Sequence, residues 1–170
     1  TASARAGTSL AAVESAMRAR GQMLAFKPPH FGEGATLGGA VACGLSGPRR
    51  PYAGSVGDLV LGVRVLDGVG EHLTFGGRVM KNVAGFDVAR LMTGAMGTLG
   101  LVTEVSLKCL PLPKAEATLA FDYAADQAIR MTNQWGGQPL RLSATCYHDG
   151  RLFVRLSDAQ PAVAAAVARL

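Results

Sequence analysis

Two glycine-punctuated segments constrain this chain more than anything else in it. The first, Gly76-Gly77-Arg78-Val79-Met80-Lys81-Asn82-Val83-Ala84-Gly85-Phe86-Asp87, places glycines and short polar residues around a helix-sized stretch. The second, Gly94-Ala95-Met96-Gly97-Thr98-Leu99-Gly100-Leu101-Val102-Thr103-Glu104-Val105, turns through glycines into an apolar strand. Glycine enters backbone conformations closed to other residues and has no Cβ to keep a neighbour away, so such segments suit turns that approach a flat, phosphate-bearing ligand. A third stretch, Ala35-Thr36-Leu37-Gly38-Gly39, sets a hydroxyl residue before a small-faced helical segment.

The chain has 170 residues, of which 49% are hydrophobic, enough to bury a core in one domain or a domain and a half. Its formal charge of +5 does not describe a nucleic-acid surface, because the basic residues are scattered, only Arg49 and Arg50 are adjacent, and aromatics make up 6%. A positive site for a pyrophosphate or an acidic substrate fits the charge better. Cys43, Cys109 and Cys146 are far apart in apolar contexts and no pair has metal-ligand spacing; they read as reduced, mostly buried thiols of a cytosolic protein. No run reaches the roughly 18 apolar residues of a spanning helix.

Ala2 to Ala6 alternates like a strand. Ser9 then precedes a helical segment that stops at Gly21, the pattern of an N-cap and a glycine stop. Gln22 to Phe26 returns as a strand, ended by Lys27-Pro28-Pro29 because proline offers no ladder N–H. Thr36 to Cys43 reads as a short helix, Leu59 to Leu66 and His72 to Phe75 as the arms of a hairpin, Phe86 to Thr93 as a helix, and Leu99 to Leu110 as one long strand. After Pro111-Leu112-Pro113-Lys114 the pattern changes to a strand from Glu116 to Tyr123, a helix from Ala124 to Trp135, strands from Leu140 to Tyr147 and Arg151 to Leu156 around a His148-Asp149-Gly150 turn, and a helix from Pro161. That β-α-β-β-α order is most of a ferredoxin-like half-sandwich.

Each chemistry-bearing segment has two readings. The helix start at Thr36, Gly38 and Gly39 offers unpaired N–H donors and a partial positive charge to a pyrophosphate, or it is a tight turn with close helix packing. Gly97, Thr98, Gly100, Leu101 and Val102 enter a strand from a glycine turn, which suits the edge of a flavin or adenine ring and equally suits a turn with no ligand. Asp87 caps a helix or contacts the ligand, and Lys81 and Arg78 neutralise an anion or form a solvated or subunit-contacting face. His30, His72 and His148 are too dispersed for a metal triad or a catalytic dyad, and only His30, beside the Pro28-Pro29 loop, carries a functional reading. No catalytic residue and no metal site is assigned.

These segments, with Pro28-Pro29-His30, Val41-Ala42-Cys43-Gly44-Leu45-Ser46-Gly47-Pro48-Arg49-Arg50-Pro51 and Val79 to Asp87, resemble the FAD-binding domain of the vanillyl-alcohol oxidase/p-cresol methylhydroxylase (PCMH) superfamily. Within it, the likeness is to the FAD-binding E-type subunits of glycolate oxidases. It runs along the whole chain and is densest from Pro28 to Pro113. The resemblance implies an α+β fold: the second subdomain of a PCMH-type FAD-binding domain over residues 1–113, followed by the start of a ferredoxin-like cap domain over 114–170. It implies a fragment without the first FAD subdomain and its pyrophosphate loop, retaining little FAD and self-associating. It implies FAD as cofactor, with Ala42, Gly44, Leu45 and Ser46 joining Thr36, Gly38, Gly39, Gly97, Thr98, Gly100, Leu101 and Val102 as contacts. The implied activity is oxidation of glycolate or D-lactate, small 2-hydroxy acids, to the 2-oxo acid. The implied partners are a catalytic D-type flavoprotein subunit and an iron–sulfur F-type subunit. The implied location is the cytoplasm, peripheral to the inner membrane through those partners. In such an assembly the chain is an accessory or electron-relaying flavoprotein, a catalytic dehydrogenase in its own right, or a scaffold without flavin.

Overall fold

The computed structural model describes residues 1–77 and 85–170. They form two compact units, Thr1–Arg50 with Gly54–Leu112 and Pro51–Ala53 with Pro113–Leu170. The fold is α+β in both.

In the first unit Ala2–Arg5 is strand β1 and Leu10–Arg18 is helix α1. Helix α1 starts where the Ser9 hydroxyl accepts a bond from the Ala12 N–H at 3.2 Å, and Gly21 turns the chain away with φ of +66°. Its Leu10, Val13 and Met17 fall on one stripe and are buried. Gln22–Leu24 is β2 and Leu37–Ala42 α2; of the single turn α3, Arg50–Ala53, the last three residues belong to the second unit. Val60–Leu66 and His72–Gly76 are the hairpin arms β3 and β4, Val88–Leu91 is α4, Leu101–Leu107 is β5 and Cys109–Pro111 is β6.

Strands β1, β5, β3 and β4 hydrogen-bond in that order as an antiparallel sheet. Strand alternation sends Val63 and its cross-strand partner Val105 to one face, where they join Leu10, Phe26, Leu37 and Val41 in the core. The next pair, Arg64 and Glu104, faces the other way and forms an ion pair at 3.7 Å.

Three expectations change. The helix expected over Phe86 to Thr93 is one turn long, because Asp87 caps it from outside, its Oδ1 accepting from the Arg90 N–H at 3.0 Å. The long strand expected over Leu99 to Leu110 starts later and breaks at Lys108, whose N–H donates to the Leu59 carbonyl at 2.8 Å; β6 then leaves the sheet to pair with β2. None of the cysteines is buried: Cys43 and Cys146 are exposed and Cys109 is half-buried. Cys43 ends α2 and Cys146 lies on an edge strand, so apolar sequence neighbours did not bring burial.

In the second unit Ala115–Asp122 is β7, Ala125–Gly136 α5, Leu142–His148 β8, Arg151–Asp158 β9 and Gln160–Val167 α6. The antiparallel sheet runs β7-β9-β8. Asp149 and Gly150, with φ of +47° and +75°, close the β8–β9 hairpin as an Asp-Gly turn should. Leu152, Val154 and Leu156 bury one face of β9 against Ala128, Trp135 and Val163, and Trp135 lies 5.2 Å from the Phe121 ring.

Candidate functional site

At the end of the four-stranded sheet where β1 finishes and β5 begins, a groove of about 320 Å³ opens. It is lined by Ala6 and Gly7 after β1, Thr36, Gly38, Gly39 and Ala42 along α2, Met92 after α4, and Gly97, Gly100, Leu101 and Val102 at the entry to β5. Segments some sixty residues apart in the chain therefore share one cavity. Leu101, 63% exposed, stands past the last β1 pairing, where Arg5 meets Glu104.

The walls are held by backbone bonds. The Gly94 N–H donates to the Val41 carbonyl at 3.0 Å and the Met96 N–H to the Ala42 carbonyl at 2.9 Å, so the loop before β5 caps the C-terminus of α2. To do so Met96 takes a φ of +54°, a left-handed conformation unusual for a side chain of its kind.

The N–H groups at the N-terminus of α2 find partners within the protein. Leu37 N–H donates to the Thr8 carbonyl at 2.9 Å, Gly38 N–H to the Ala6 carbonyl at 2.8 Å and Ala40 N–H to the Thr36 carbonyl at 3.1 Å. Gly39 N–H donates to the Thr36 hydroxyl at 3.1 Å. The donors expected to face a pyrophosphate are thus already engaged within the protein. Gly38 is small for a packing reason, since a Cβ there would lie 2.5 Å from the Ala6 Cβ and 2.9 Å from its carbonyl oxygen. Gly39 is exposed, and a Cβ there would meet only the Thr36 hydroxyl, at 3.1 Å. Gly100 resembles Gly38: a Cβ would lie 2.7 Å from Val65 Cγ1.

Four of the expected contacts lie off this groove. Leu45 lines a second one of about 400 Å³ that shares Thr36 and Gly39 and runs past Pro29, Phe31 and Cys43. Gly44, with φ of +68°, packs its backbone near Gly94. The Ser46 hydroxyl is buried, accepting from the Val56 N–H at 3.0 Å and donating to the Gly44 carbonyl at 3.4 Å. Thr98 turns its hydroxyl back to the Ala95 carbonyl at 2.6 Å.

Among the described residues no charged side chain lines either groove, so the overall positive charge is not concentrated there. Lys81 and Arg78 lie outside the described residues. The histidines stay apart: His30 contacts Glu14 at 3.3 Å, His72 the Thr103 hydroxyl at 2.8 Å, and His148 Asp149 at 3.1 Å. Sequence reasoning missed Ala6, Gly7 and Met92. The small pair Ala6-Gly7 after an alternating strand was the only available signal, and Met92 had none.

A family described as "FAD binding domain" matches residues 1–76. The chain is 52% identical over 163 residues, 96% of its length, to the glycolate oxidase subunit GlcE of Escherichia coli, of which it covers 47%. It is 39% identical over 97 residues to a D-lactate dehydrogenase of Anaerostipes hadrus, covering 56% of this chain and 20% of that one. It is 37% identical over 97 residues to the glycolate oxidase subunit GlcD of Bacillus subtilis, covering 57% of this chain and 21% of that one. The chain therefore spans about half the length of the Escherichia coli relative and about a fifth of the other two. A solved alkyldihydroxyacetonephosphate synthase superposes with a TM-score of 0.77 over 98% of this chain and 36% of that one, at 18% identity, and so shares its fold.

Proposed function

We propose that this chain is part of an FAD-binding subunit of a glycolate oxidase-type 2-hydroxy-acid dehydrogenase, and that the groove beside α2 takes the uncharged part of the flavin cofactor. The observation that carries this is the convergence of Thr36–Ala42 and Gly97–Val102 on one apolar groove with no charged lining among the described residues. When bound, FAD supplies the hydride acceptor for oxidation of a 2-hydroxy acid such as glycolate or D-lactate to its 2-oxo acid.

The chain's own residues fit a flat, neutral group better than a diphosphate. Gly39 and Gly97 leave the backbone bare at the groove, while Ala42, Met92, Leu101 and Val102 give it apolar walls that exclude water. The engaged donors of α2 leave the diphosphate to be held by other groups. The similarity to subunits named GlcE and GlcD supports assembly into a multi-subunit complex; we propose as its other members a catalytic D-type flavoprotein and an iron–sulfur subunit, in the cytoplasm at the inner membrane's surface.

The test is flavin retention by the intact protein, natural and Ala42→Leu. Both residues are good helix formers and Ala42 is only half-buried, so the fold should survive while the larger side chain fills the groove. The natural protein should purify yellow with near-stoichiometric FAD, and Ala42→Leu should lose most of it with unchanged far-UV circular dichroism. A colourless natural protein would overturn the cofactor assignment; full retention by Ala42→Leu would move the flavin elsewhere.

A further inference from the structure

Phe31 lines the second groove, of about 400 Å³, with 81% of its surface exposed. The loop that carries it, residues 27–35, has neither helix nor strand, yet it is tied at both ends and in the middle. Lys27 N–H donates to the Ser46 carbonyl at 3.2 Å, and the Ala35 carbonyl accepts from the Leu10 N–H at 2.9 Å. Pro28 and Pro29 fix their own φ angles. His30, the residue before Phe31, meets Glu14 of α1 at 3.3 Å. The ring is therefore presented at the groove by a loop already held in place. Pro29, Ala40, Cys43 and Leu45 also line this groove, and among the described residues no charged side chain does.

We infer that the flavin ring system continues from the first groove across Gly39 into the second, where Phe31 is its aromatic neighbour. This deepens the flavin reading and rests on it. Continuity selects the occupant: Thr36 and Gly39 line both grooves, so the two meet along one edge of α2. Gly39 is exposed at that edge and has no side chain to divide them; a Cβ there would meet only the Thr36 hydroxyl. The chemistry of the walls selects it too. A carboxylate such as that of a 2-hydroxy acid finds no counter-charge in the second groove and would be costly to desolvate there. An uncharged aromatic ring finds Phe31, Pro29 and Leu45. By the same extension Leu45, which stands off the first groove, becomes a contact in the second.

The experiment uses the intact protein, freed of flavin and titrated with FAD. Cys43 is a natural probe, because it is exposed and lines the second groove, while Cys146 is exposed and lines neither groove. With FAD about tenfold above its Kd, alkylation by iodoacetamide mapped by mass spectrometry should slow about tenfold at Cys43 and stay unchanged at Cys146. Phe31→Ala should weaken FAD binding about tenfold, whereas Phe31→Tyr, which keeps the ring, should stay within about threefold of the natural protein. The urea midpoint of the flavin-free protein should not move in either variant, since the ring is exposed. Equal alkylation of Cys43 with and without FAD overturns the inference, as does unchanged FAD affinity in Phe31→Ala. If Ala42→Leu still loses its flavin in those cases, the flavin reading stands and only its extension into the second groove fails. Full retention of FAD by Ala42→Leu overturns the flavin reading and this inference with it.

Discussion

Gly38 and Gly39 are neighbours on the same helix turn, yet alanine should be costly at the first and close to neutral at the second. A Cβ at Gly38 would lie 2.5 Å from the Ala6 Cβ, 2.9 Å from the Ala6 oxygen and 3.0 Å from its Cα, all on the residue that follows β1. Overpacking of this kind costs about 1–3 kcal/mol. Separating α2 from β1 also weakens the 2.8 Å bond from Gly38 N–H to the Ala6 carbonyl, about 1 kcal/mol more. The gain in helix propensity on replacing glycine by alanine returns about 1 kcal/mol. Gly38→Ala should therefore destabilise the first unit by about 1–3 kcal/mol. Gly39→Ala keeps the propensity gain and meets only the Thr36 hydroxyl, so it should be neutral within about 1 kcal/mol while narrowing the groove. The assay is urea unfolding followed by far-UV circular dichroism. With a slope of about 2 kcal/mol per molar, Gly38→Ala should move the midpoint down by about 0.5–1.5 M. The only tryptophan, Trp135, sits 6% exposed in the second unit, so its fluorescence reports a different core in the same experiment. Equal midpoints for the two variants would refute the close-packing account of Gly38.

Ser46→Ala should cost about 1–3 kcal/mol by leaving the buried Val56 N–H without its acceptor, and FAD affinity in the intact protein should be unchanged if the hydroxyl serves only the fold. The Asp58 carboxyl is held below its usual value of 3.8, first by the Ser55 hydroxyl, then by the Ser55 N–H, with Arg90 and Arg50 adding to it. A lowered folded-state pKa contributes stability that is complete above the unfolded value and lost as pH falls through the folded one. Asp58→Asn should accordingly melt below the natural chain at pH 7, by a small margin because the side chain is 47% exposed, and the gap should begin to narrow only as pH falls below the usual value of 3.8. A gap that does not narrow at all as pH falls below that value would point to lost geometry instead of lost charge.

What could be read from sequence was local. Ser9 as a cap, the Asp149-Gly150 turn and the alternation of β3 each depend on residues within a few positions. The break at Lys108 was invisible because its partner is the Leu59 carbonyl, far back in the chain. The same distance hid the state of α2: Thr36 reads as a helix start, but the carbonyls of Ala6 and Thr8 that take its donors lie about thirty residues earlier. The glycines of the Ala35–Gly39 and Gly94–Val105 stretches were legible as close-approach positions, whereas the identity of what approaches was not. At Gly38 and Gly100 it is the protein's own β1 and β3, and at Gly39 and Gly97 it is the open groove.

The bonds from Gly94 and Met96 to the last carbonyls of α2 bear on the thermodynamics of whatever the groove admits. Because peptide groups rather than side chains set the distance between its walls, that distance is established when the chain folds. A ligand then finds a slot of settled width and does not have to order a loop on arrival, which removes one entropic penalty from association. Tight binding with a small loss of conformational entropy is the calorimetric mark of such a slot. The side chains around it are correspondingly free to vary in size and polarity without changing its width.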